Sequence, residues 1–227
     1  MRAQVADEQK GANAVISMSE RENLRGDGGM YVLPIPVEDT KGAILRESLV
    51  LFAERGYGAT TVRDIAQRVG ILSGSLYSHF PSKEDILAQL VELGMREHND
   101  RLVSALRTAD PDPQAQLVAL TRTHVLFHAQ FATLATVLHA EMHILSAEKV
   151  ATTRQLRDQS SELFRDVIRR GVAAGEFDVT DLEVAAVAIV SMGVRVAFWY
   201  TPSFHLGVDA LSEQMGELAR RIVGVSS

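Results

Sequence analysis

The chain has 227 residues, and its 46% hydrophobic and 23% charged residues give it the composition of a globular protein with a sizeable core. It contains no cysteine, which excludes disulfides and thiolate metal sites, and it shows no signal for secretion or membrane insertion, so a cytoplasmic protein without a membrane partner is predicted. The net charge of −6 excludes a broadly basic surface and indicates that any contact with nucleic acid is confined to a small region.

The first 38 residues differ from the rest of the chain. They mix charges with Asn and Ser, contain the stretch GDGG at 26–29, and end in the LPIP segment at 33–36. This composition predicts a flexible tail over 1–38. An arm that contacts DNA is the alternative, and the mixed charge of the tail does not favour it.

Two short helices are predicted after the tail. The first runs from about residue 39 to Arg55, where apolar side chains recur at helical spacing and Gly56 ends the helix. The second opens at Thr61, whose hydroxyl caps the free backbone N–H groups of the first turn. It ends at Gly70, which readily adopts the left-handed conformation of a tight turn.

A third short helix is predicted over about 73–79. Leu76 and Phe80 face inward, while small polar side chains and one tyrosine face outward. Two short helices joined by a tight turn, with small polar side chains on the second, are typical of a helix-turn-helix that inserts into the major groove of DNA. The segment from Thr60 to Lys83 carries three basic residues and one acidic residue, a local charge of +2.

The remainder of the chain is predicted to be helical throughout. A long helix begins at the break of residues 81–85. Further helices are predicted at about 114–129, 131–146, 149–174, 181–200 and 208–223. No strand-like alternation of useful length occurs, so the predicted fold class is all-α with about nine helices.

The segment ATTVRDIAQRVGILSGSLYSHFPSKEDIL closely resembles the TetR family of one-component bacterial regulators. The resemblance extends from Lys41 to Leu87. It implies a DNA-binding transcriptional regulator, a homodimer that leaves an inverted-repeat operator when a small molecule fills its cavity. The GILSGSLY core and the Trp-Tyr-Thr-Pro run at 199–202 also resemble repressors of steroid and fatty-acid breakdown, which commonly sense acyl-CoA thioesters.

The predicted organisation follows from these elements and from the resemblance. Residues 1–38 form the tail, and residues 39–85 form the three-helix DNA-binding domain. Residues 86–227 form the ligand-binding and dimerisation domain.

Ten residues of the helix-turn-helix are candidates for DNA contacts. Thr61 and Arg63 suit the sugar-phosphate backbone, and Tyr77 and Lys83 suit phosphates, as the resemblance also implies. Small residues at the start of the third helix let it enter a groove about 12 Å wide. The full set is Thr61, Arg63, Leu72, Ser73, Gly74, Ser75, Tyr77, Ser78, His79 and Lys83. In the alternative interpretation Tyr77 packs the head together and His79 is a surface group without a role.

Two pairs of histidines in the C-terminal part are spaced four residues apart. His124 and His128 form one pair and His139 and His143 the other, so each pair falls on one face of a helix. With Glu141 nearby, they are candidate metal ligands. Neither pair belongs to a HExxH motif and the spacing fixes no third ligand. The favoured interpretation is therefore a set of neutral hydrogen-bonding groups in a ligand cavity, and no metal or cofactor is predicted.

Arg195 interrupts an otherwise apolar predicted helix. A guanidinium in such a helix is costly unless it meets an anion. The anion is a carboxylate or phosphate of a ligand in one interpretation, and Glu141, Glu183 or an acid of a partner subunit in the other. The residues predicted to line the ligand cavity are His124, Phe127, His128, Met142, Phe164, Arg195 and Trp199.

The last two predicted helices carry apolar stripes at helical spacing. The stripes consist of Ala185, Ala188, Ile189, Met192 and Val196, and of Leu211, Met215, Leu218 and Ile222. Such stripes are also typical of an ordinary core. Because a protein that binds a palindrome needs two copies, the stripes predict a four-helix dimer interface.

The leading hypothesis is a dimeric repressor that a ligand releases from its operator. The alternative is a helical protein that binds a small molecule or a metal ion and does not bind DNA, which the net acidity and the histidine pairs favour. No nucleophile or phosphate-binding loop accompanies the histidines. No enzymatic activity is therefore predicted.

Overall fold

The computed structural model describes Leu33 and residues 39–225, so the tail predicted over 1–38 lies outside the described residues except at Leu33. Over the described part the protein is all helical, as predicted, with nine α-helices and one short 3-10 turn, Met142–Ile144. The α-helices are α1 Thr40–Arg55, α2 Val62–Val69, α3 Ser73–His79, α4 Lys83–Thr108, α5 Pro113–Gln130, α6 Ala132–Glu141, α7 Ala147–Ala173, α8 Leu182–Trp199 and α9 Val208–Ile222.

The boundaries of the head helices follow from local chemistry. At the start of α2, the Thr61 hydroxyl accepts a hydrogen bond from the Asp64 N–H, and the Asp64 carboxylate accepts one from the Thr61 N–H, which completes a capping box. Gly70 ends α2 with φ of +80°, in the left-handed region that favours glycine. Both the predicted cap and the predicted turn are therefore confirmed.

The core of the head is continuous with the core of the C-terminal part. Ile44, Ile65 and Leu76 are fully buried where α1, α2 and α3 meet, and burial of each such side chain contributes about 1.5–3 kcal/mol. The same cluster of buried side chains extends through Leu90 of α4 to Leu134 of α6. The domain boundary predicted between residues 85 and 86 thus lies inside α4 and inside this shared core.

A second core holds the C-terminal helices together around α5. This helix packs against α4, α7, α8 and α9. Its residues Leu117 and Leu120 are buried with Phe164 of α7, Ile189 of α8 and Ala219 of α9. The central position of α5 explains why polar side chains on it, including the histidines, are buried.

The helix predicted over 131–146 ends earlier than its apolar pattern indicates. Helix α6 ends at Glu141, and a 3-10 turn follows. Near this end the Glu141 carboxylate accepts a hydrogen bond from the Tyr57 N–H at 3.1 Å, and the Ser146 N–H donates to the Glu84 carboxylate at 2.8 Å. These are tertiary contacts with the head, which apolar periodicity does not predict.

The stripe predicted to form the dimer interface on α8 is corrected by the structure. Ala185, Ile189 and Val196 are 6%, 0% and 0% exposed, because they face the core of their own subunit. Leu211 of α9 is buried in the same way, whereas Met192 and Met215 are half-buried and Ala188 is exposed. The sequence pattern therefore identified an amphipathic helix and assigned the wrong face of it to the interface.

An apolar face of α8 other than the predicted one is exposed, together with Leu218 and Ile222 of the predicted stripe on α9. Val184 and Val187 of α8 are 66% and 57% exposed, and Leu218 and Ile222 of α9 are 43% and 37% exposed. Within the described residues, α8 is also the one helix with the length and mean hydropathy, 1.7 over 18 residues, of a candidate membrane span. Burial of its inner face in the second core is typical of a core helix of a globular protein.

Candidate functional site

The outer face of α3 is fully available for contact with another molecule. Leu76 is buried and anchors the helix, while Leu72 at its start is 78% exposed and Tyr77 is 53% exposed. Gly74 has no atom within 4 Å of the position that a Cβ would occupy, so this end of α3 is open. Of the ten predicted DNA-contacting residues, eight are exposed, and the other two, Ser73 and Lys83, are half-buried.

The basic residues of the helix-turn-helix have different surroundings. Arg63 is exposed on the first turn of α2. Arg68 is held by two carboxylates of α1, with 2.7 Å to Glu47 and 3.2 Å to Glu54. The local charge of +2 counted from the sequence is therefore reduced by acidic neighbours that the motif itself does not contain.

Lys83, which was predicted to contact a phosphate, makes contacts within the protein in this structure. Its ammonium donates hydrogen bonds to the carbonyls of Tyr57 and Thr60, both at 2.6 Å, and lies 4.0 Å from the centre of the Tyr57 ring. Burial lowers the pKa of this ammonium. In this structure Lys83 fixes the turn between α1 and α2, because that turn supplies carbonyls that no helix hydrogen bond satisfies.

An internal cavity of about 130 Å³ lies between α4, α5, α6, α7 and α8. Most of its wall is apolar, with Leu134, Leu138 and Val194 among the lining side chains. The structure brings five of the predicted ligand-binding residues to this cavity: His124, Phe127, His128, Met142 and Phe164. Arg157 of α7, which was not predicted as a site residue, also lines the cavity.

Arg195 and Trp199 do not line the cavity, which corrects the prediction for both. The Arg195 side chain is exposed and its guanidinium stacks 4.3 Å from the centre of the Phe198 ring. Trp199 is 39% exposed. Helix α8 turns Val190 and Val194 toward the cavity, and each further residue is rotated by about 100° around the helix. The position next to Val194 therefore faces outward, where Arg195 needs no buried anion.

Three histidines meet at the wall of the cavity. His98 Nε2 of α4 lies 2.8 Å from His124 Nδ1 of α5, and His128 Nδ1 lies 2.9 Å from the His124 carbonyl. His98 was not predicted as a site residue, because it is on a different helix and 26 residues from His124. Its spacing of four from Gly94 and from Leu102, both buried, is the signal that places it on the inner face of α4.

Burial keeps these imidazoles neutral at ordinary pH. Removal from water lowers the pKa of His98 to about 3, with a smaller effect of His128. It also lowers the pKa of His124 to about 3, and the pKa of His128 falls well below its usual range for the same reason. The cluster therefore consists of neutral rings, each with one N–H donor and one acceptor nitrogen.

These depressed pKa values predict loss of stability in mild acid. The unfolded chain protonates His98 and His124 near pH 6.5, whereas the folded chain does not protonate them until about pH 3. The free energy of unfolding is therefore highest above pH 6.5, and it falls as the pH is lowered from 6.5 toward 3. From pH 7.5 to pH 5 the two groups together should lower the free energy of unfolding by about 4 kcal/mol. Denaturant titrations at pH 7.5 and pH 5 measure this difference. A His98→Gln/His124→Gln variant should lose most of the pH dependence, and the exposed-site variant His143→Gln should keep it.

Comparison with known proteins identifies both parts of the chain. Residues 44–90 match the family model described as bacterial regulatory proteins of the tetR family. Residues 110–223 match the model described as the tetracyclin repressor-like C-terminal domain. The chain belongs to the TetR family. It is therefore a DNA-binding transcriptional regulator, as the helix-turn-helix predicted, and it belongs to a family of regulators and not of enzymes.

Individual TetR-family relatives are similar over most of their length. The HTH-type transcriptional repressor KstR2 of Rhodococcus jostii (strain RHA1) is 34% identical over 193 residues, which are 80% of this chain and 92% of the relative. A tetR-family regulatory protein from Rhodococcus RHA1 has a crystal structure with a TM-score of 0.78 at 29% identity, covering 84% of this chain and 100% of that one. The ketosteroid transcriptional regulator KstR2 of Mycobacterium tuberculosis gives a TM-score of 0.74 at 26% identity, covering 82% and 95%.

Proposed function

We propose that this TetR-family protein is a cytoplasmic homodimeric repressor that leaves an inverted-repeat operator when a small molecule occupies the cavity. The observation that carries this proposal is that the same helical protein has both an exposed α3 and an internal cavity between its other helices. Relatives named as transcriptional repressors, at 34% identity, support repression as the direction of control.

On the DNA side, α3 would lie in the major groove. Leu72, Ser75, Ser78 and His79 would meet base edges, and the hydroxyl of Tyr77 would contact a phosphate. Thr61 and Arg63, at the exposed start of α2, would contact the backbone of the same half-site. We assign Lys83 an indirect role, because its contacts with Tyr57 and Thr60 support the turn that precedes α2.

Two heads are needed because the surface of one head is only weakly basic. The exposed apolar face of α8 and α9 supports a dimer that is made by these two helices from each subunit. Val184, Val187 and Ala188 of α8 and Leu218 and Ile222 of α9 would form it. Burial of apolar surface contributes about 25 cal/mol per Å², so the five exposed aliphatic side chains per subunit are a substantial driving force.

The cavity supports an effector with an apolar body and an anionic part, and we propose an acyl-CoA thioester. Leu134, Leu138 and Phe127 supply an apolar wall for the acyl group, and Arg157 at the cavity supplies a cation for a phosphate. Relatives named KstR2, one of them described as a ketosteroid transcriptional regulator, support an acyl group derived from steroid breakdown. A volume of about 130 Å³ is small beside typical ligand pockets of about 300–1,000 Å³, so binding would require the walls to move apart.

Movement of the cavity wall has a direct route to the DNA-binding head. Leu138 and Met142 line the cavity on either side of Glu141, whose carboxylate accepts the hydrogen bond from Tyr57 in the turn before α2. Lys149 at the start of α7 pairs with Asp85 of α4 at 2.6 Å. An effector that displaces the end of α6 would therefore displace the turn that Lys83 also holds, and with it the spacing of the two heads.

Release of the operator by thioesters tests this function. Purified dimer bound to the DNA upstream of its own gene should release it on addition of a steroid-derived acyl-CoA, with at least about a tenfold weakening of operator affinity, within the range of common allosteric couplings. Fluorescence anisotropy of labelled DNA measures this change. Free coenzyme A and the free acid serve as controls and should have little effect. No release by any thioester of a broad panel would refute the proposed effector class and leave the DNA-binding role standing.

The variant Glu141→Ala tests the proposed route from the cavity wall to the DNA-binding head. It removes the acceptor of the Tyr57 N–H without adding bulk to the cavity, since the Glu141 side chain is directed to the head. We expect effector affinity to stay within about threefold of the wild type and the effector-induced loss of operator affinity to shrink. Undiminished release would show that the signal follows another path.

A further inference from the structure

We propose that His98, His124 and His128 form a binding site for one divalent transition-metal ion per subunit, with a coordination position open to the cavity. One ring nitrogen from each of these three buried residues lies within 4.8 Å of the others, and no other such group of ligands occurs among the described residues. Three imidazoles with an open fourth position are a common ligand set for Zn²⁺.

Hydrogen bonds outside the cluster determine which nitrogen of each ring is free. His124 Nε2 donates to the Val190 carbonyl at 3.0 Å, and His128 Nδ1 donates to the His124 carbonyl at 2.9 Å. These bonds leave His124 Nδ1 and His128 Nε2 as acceptor nitrogens with lone pairs. Protein groups that hold the second nitrogen of each ring are the usual outer partners of metal-binding histidines.

The surroundings of His98 direct its lone pair toward the same point. The Asn99 side-chain amide donates to the Leu156 carbonyl at 3.0 Å, so its oxygen is the acceptor for the Ser160 hydroxyl. With its proton committed to Asn99, the Ser160 oxygen accepts from His98 Nδ1, which lies 3.3 Å away. In this tautomer His98 Nε2 carries a lone pair that faces His124 Nδ1.

Two acceptor nitrogens 2.8 Å apart repel each other unless a positive charge lies beside both of them. Without an ion, His98 carries its proton on Nε2 and donates it to His124 Nδ1, which is an ordinary hydrogen bond between two neutral rings. An ion binds the other tautomer of His98. The His98 proton resides on Nδ1, where Ser160 accepts it, and all three free nitrogens bind the cation without any net change in protonation.

The geometry requires small movements. Zn–N distances of about 2.0–2.1 Å place tetrahedral ligand nitrogens about 3.3 Å apart. The His98 and His124 rings would separate by about 0.5 Å, and His128 would approach the pair. Aromatic neighbours hold the two rings in place. The centre of the Phe127 ring lies 4.9 Å from that of His98, and the centre of the Phe164 ring lies 5.7 Å from that of His124.

Gly193 of α8 leaves the space that the His124 ring occupies. A Cβ at this position would lie 2.1 Å from His124 Cδ2, so a glycine is required for the imidazole to pack against the α8 backbone and reach the Val190 carbonyl. Neutral nitrogen ligands without a carboxylate favour Zn²⁺, Co²⁺, Ni²⁺ or Cu²⁺ over Mg²⁺ and Ca²⁺. The fourth position would hold water or an anionic group of a molecule in the cavity.

Metal titration of the full-length protein tests the site. After treatment with a chelator, the protein should bind one Zn²⁺ or Co²⁺ per subunit, and bound Co²⁺ should give the intense visible absorption of a four-coordinate ion. His128→Gln should weaken binding at least about 100-fold, since even the loss of an outer partner costs about 10–100-fold. His143→Gln, an exposed histidine outside the cluster, is the matched control and should bind with wild-type affinity. Substoichiometric binding, or full affinity in folded His128→Gln, overturns the proposal.

A measurement on the unaltered protein decides the matter if the variants do not fold. X-ray absorption of the Zn²⁺-loaded wild type should show three imidazole nitrogens and one further light ligand. Coordination by carboxylates or by fewer than three imidazoles would show that the ion binds elsewhere. Neither measurement needs DNA, so the result is independent of operator binding and of the effector.

Discussion

The variant Ser75→Glu should lose operator binding by at least about 1,000-fold while its fold becomes no less stable. Ser75 lies on the exposed face of α3, in the first turn of the helix. A carboxylate there is favourable for the helix, because the N-terminal end carries a partial positive charge. In the DNA complex the same carboxylate would face phosphates in both heads of the dimer. A like-charge contact costs several kcal/mol, and about 1.4 kcal/mol corresponds to a tenfold loss.

The matched control for this variant is Gln155→Glu, which adds the same charge at an exposed position of α7 far along the chain from the head. It should bind the operator with nearly wild-type affinity at physiological salt. Fluorescence anisotropy measures operator binding of both variants, and thermal unfolding measures their stability. If Ser75→Glu bound with wild-type affinity, α3 would not be the helix in the groove.

The variant Val187→Asp should convert the dimer to monomers. Val187 is 57% exposed at the centre of the apolar face of α8. A symmetric interface would bury two copies of the new carboxylate, and an uncompensated buried charge costs several kcal/mol. The dissociation constant of the dimer should therefore rise at least about 1,000-fold. Analytical ultracentrifugation measures this shift, and operator affinity should fall with it.

Val103→Asp is the control for dimerisation, because Val103 is a 43% exposed valine on α4. It should remain dimeric at concentrations where Val187→Asp is monomeric. A dimeric Val187→Asp would place the subunit interface on another surface. It would then be necessary to find another role for the exposed side chains of α8 and α9.

The head was predictable from sequence because its determinants are local. Thr61 and Asp64 are three residues apart and form their capping box without help from the rest of the chain. Gly70 has a conformation that glycine favours, and Leu76 occupies the one position of a seven-residue helix that must face inward. Short-range rules of this kind give the motif and its family resemblance together.

Side chains whose role depends on distant partners were not predictable in this way. Lys83 was expected to contact a phosphate, and its bonds to the carbonyls of residues 57 and 60 were not predicted, because they arise where the chain brings the turn before α2 against the start of α4. The inward face of α8 was mistaken for an interface because an apolar stripe looks the same in a core and in a dimer. Only the position of α5 beside it distinguishes the two.

The residues around the cavity were also only partly predictable from the sequence. Spacing identified His124 and His128 on one face of α5, but the third member of the cluster comes from α4. Arg195 was expected to meet a buried anion, yet one step around α8 from Val194 is enough to expose it. Helix crossing determines these juxtapositions, and the sequence pattern of a single helix does not encode how two helices cross.

The most direct test of the central claim is a footprint of the wild-type protein on the DNA upstream of its own gene. Two α3 helices carried by one dimer should protect two inverted half-sites, whose major grooves lie on one side of the duplex about one helical turn apart, or about 34 Å. Protection should disappear with Ser75→Glu at the same protein concentration. Protection without sequence preference, or protection that survives Ser75→Glu, would contradict the assignment of α3 as the DNA-binding helix of a dimeric regulator.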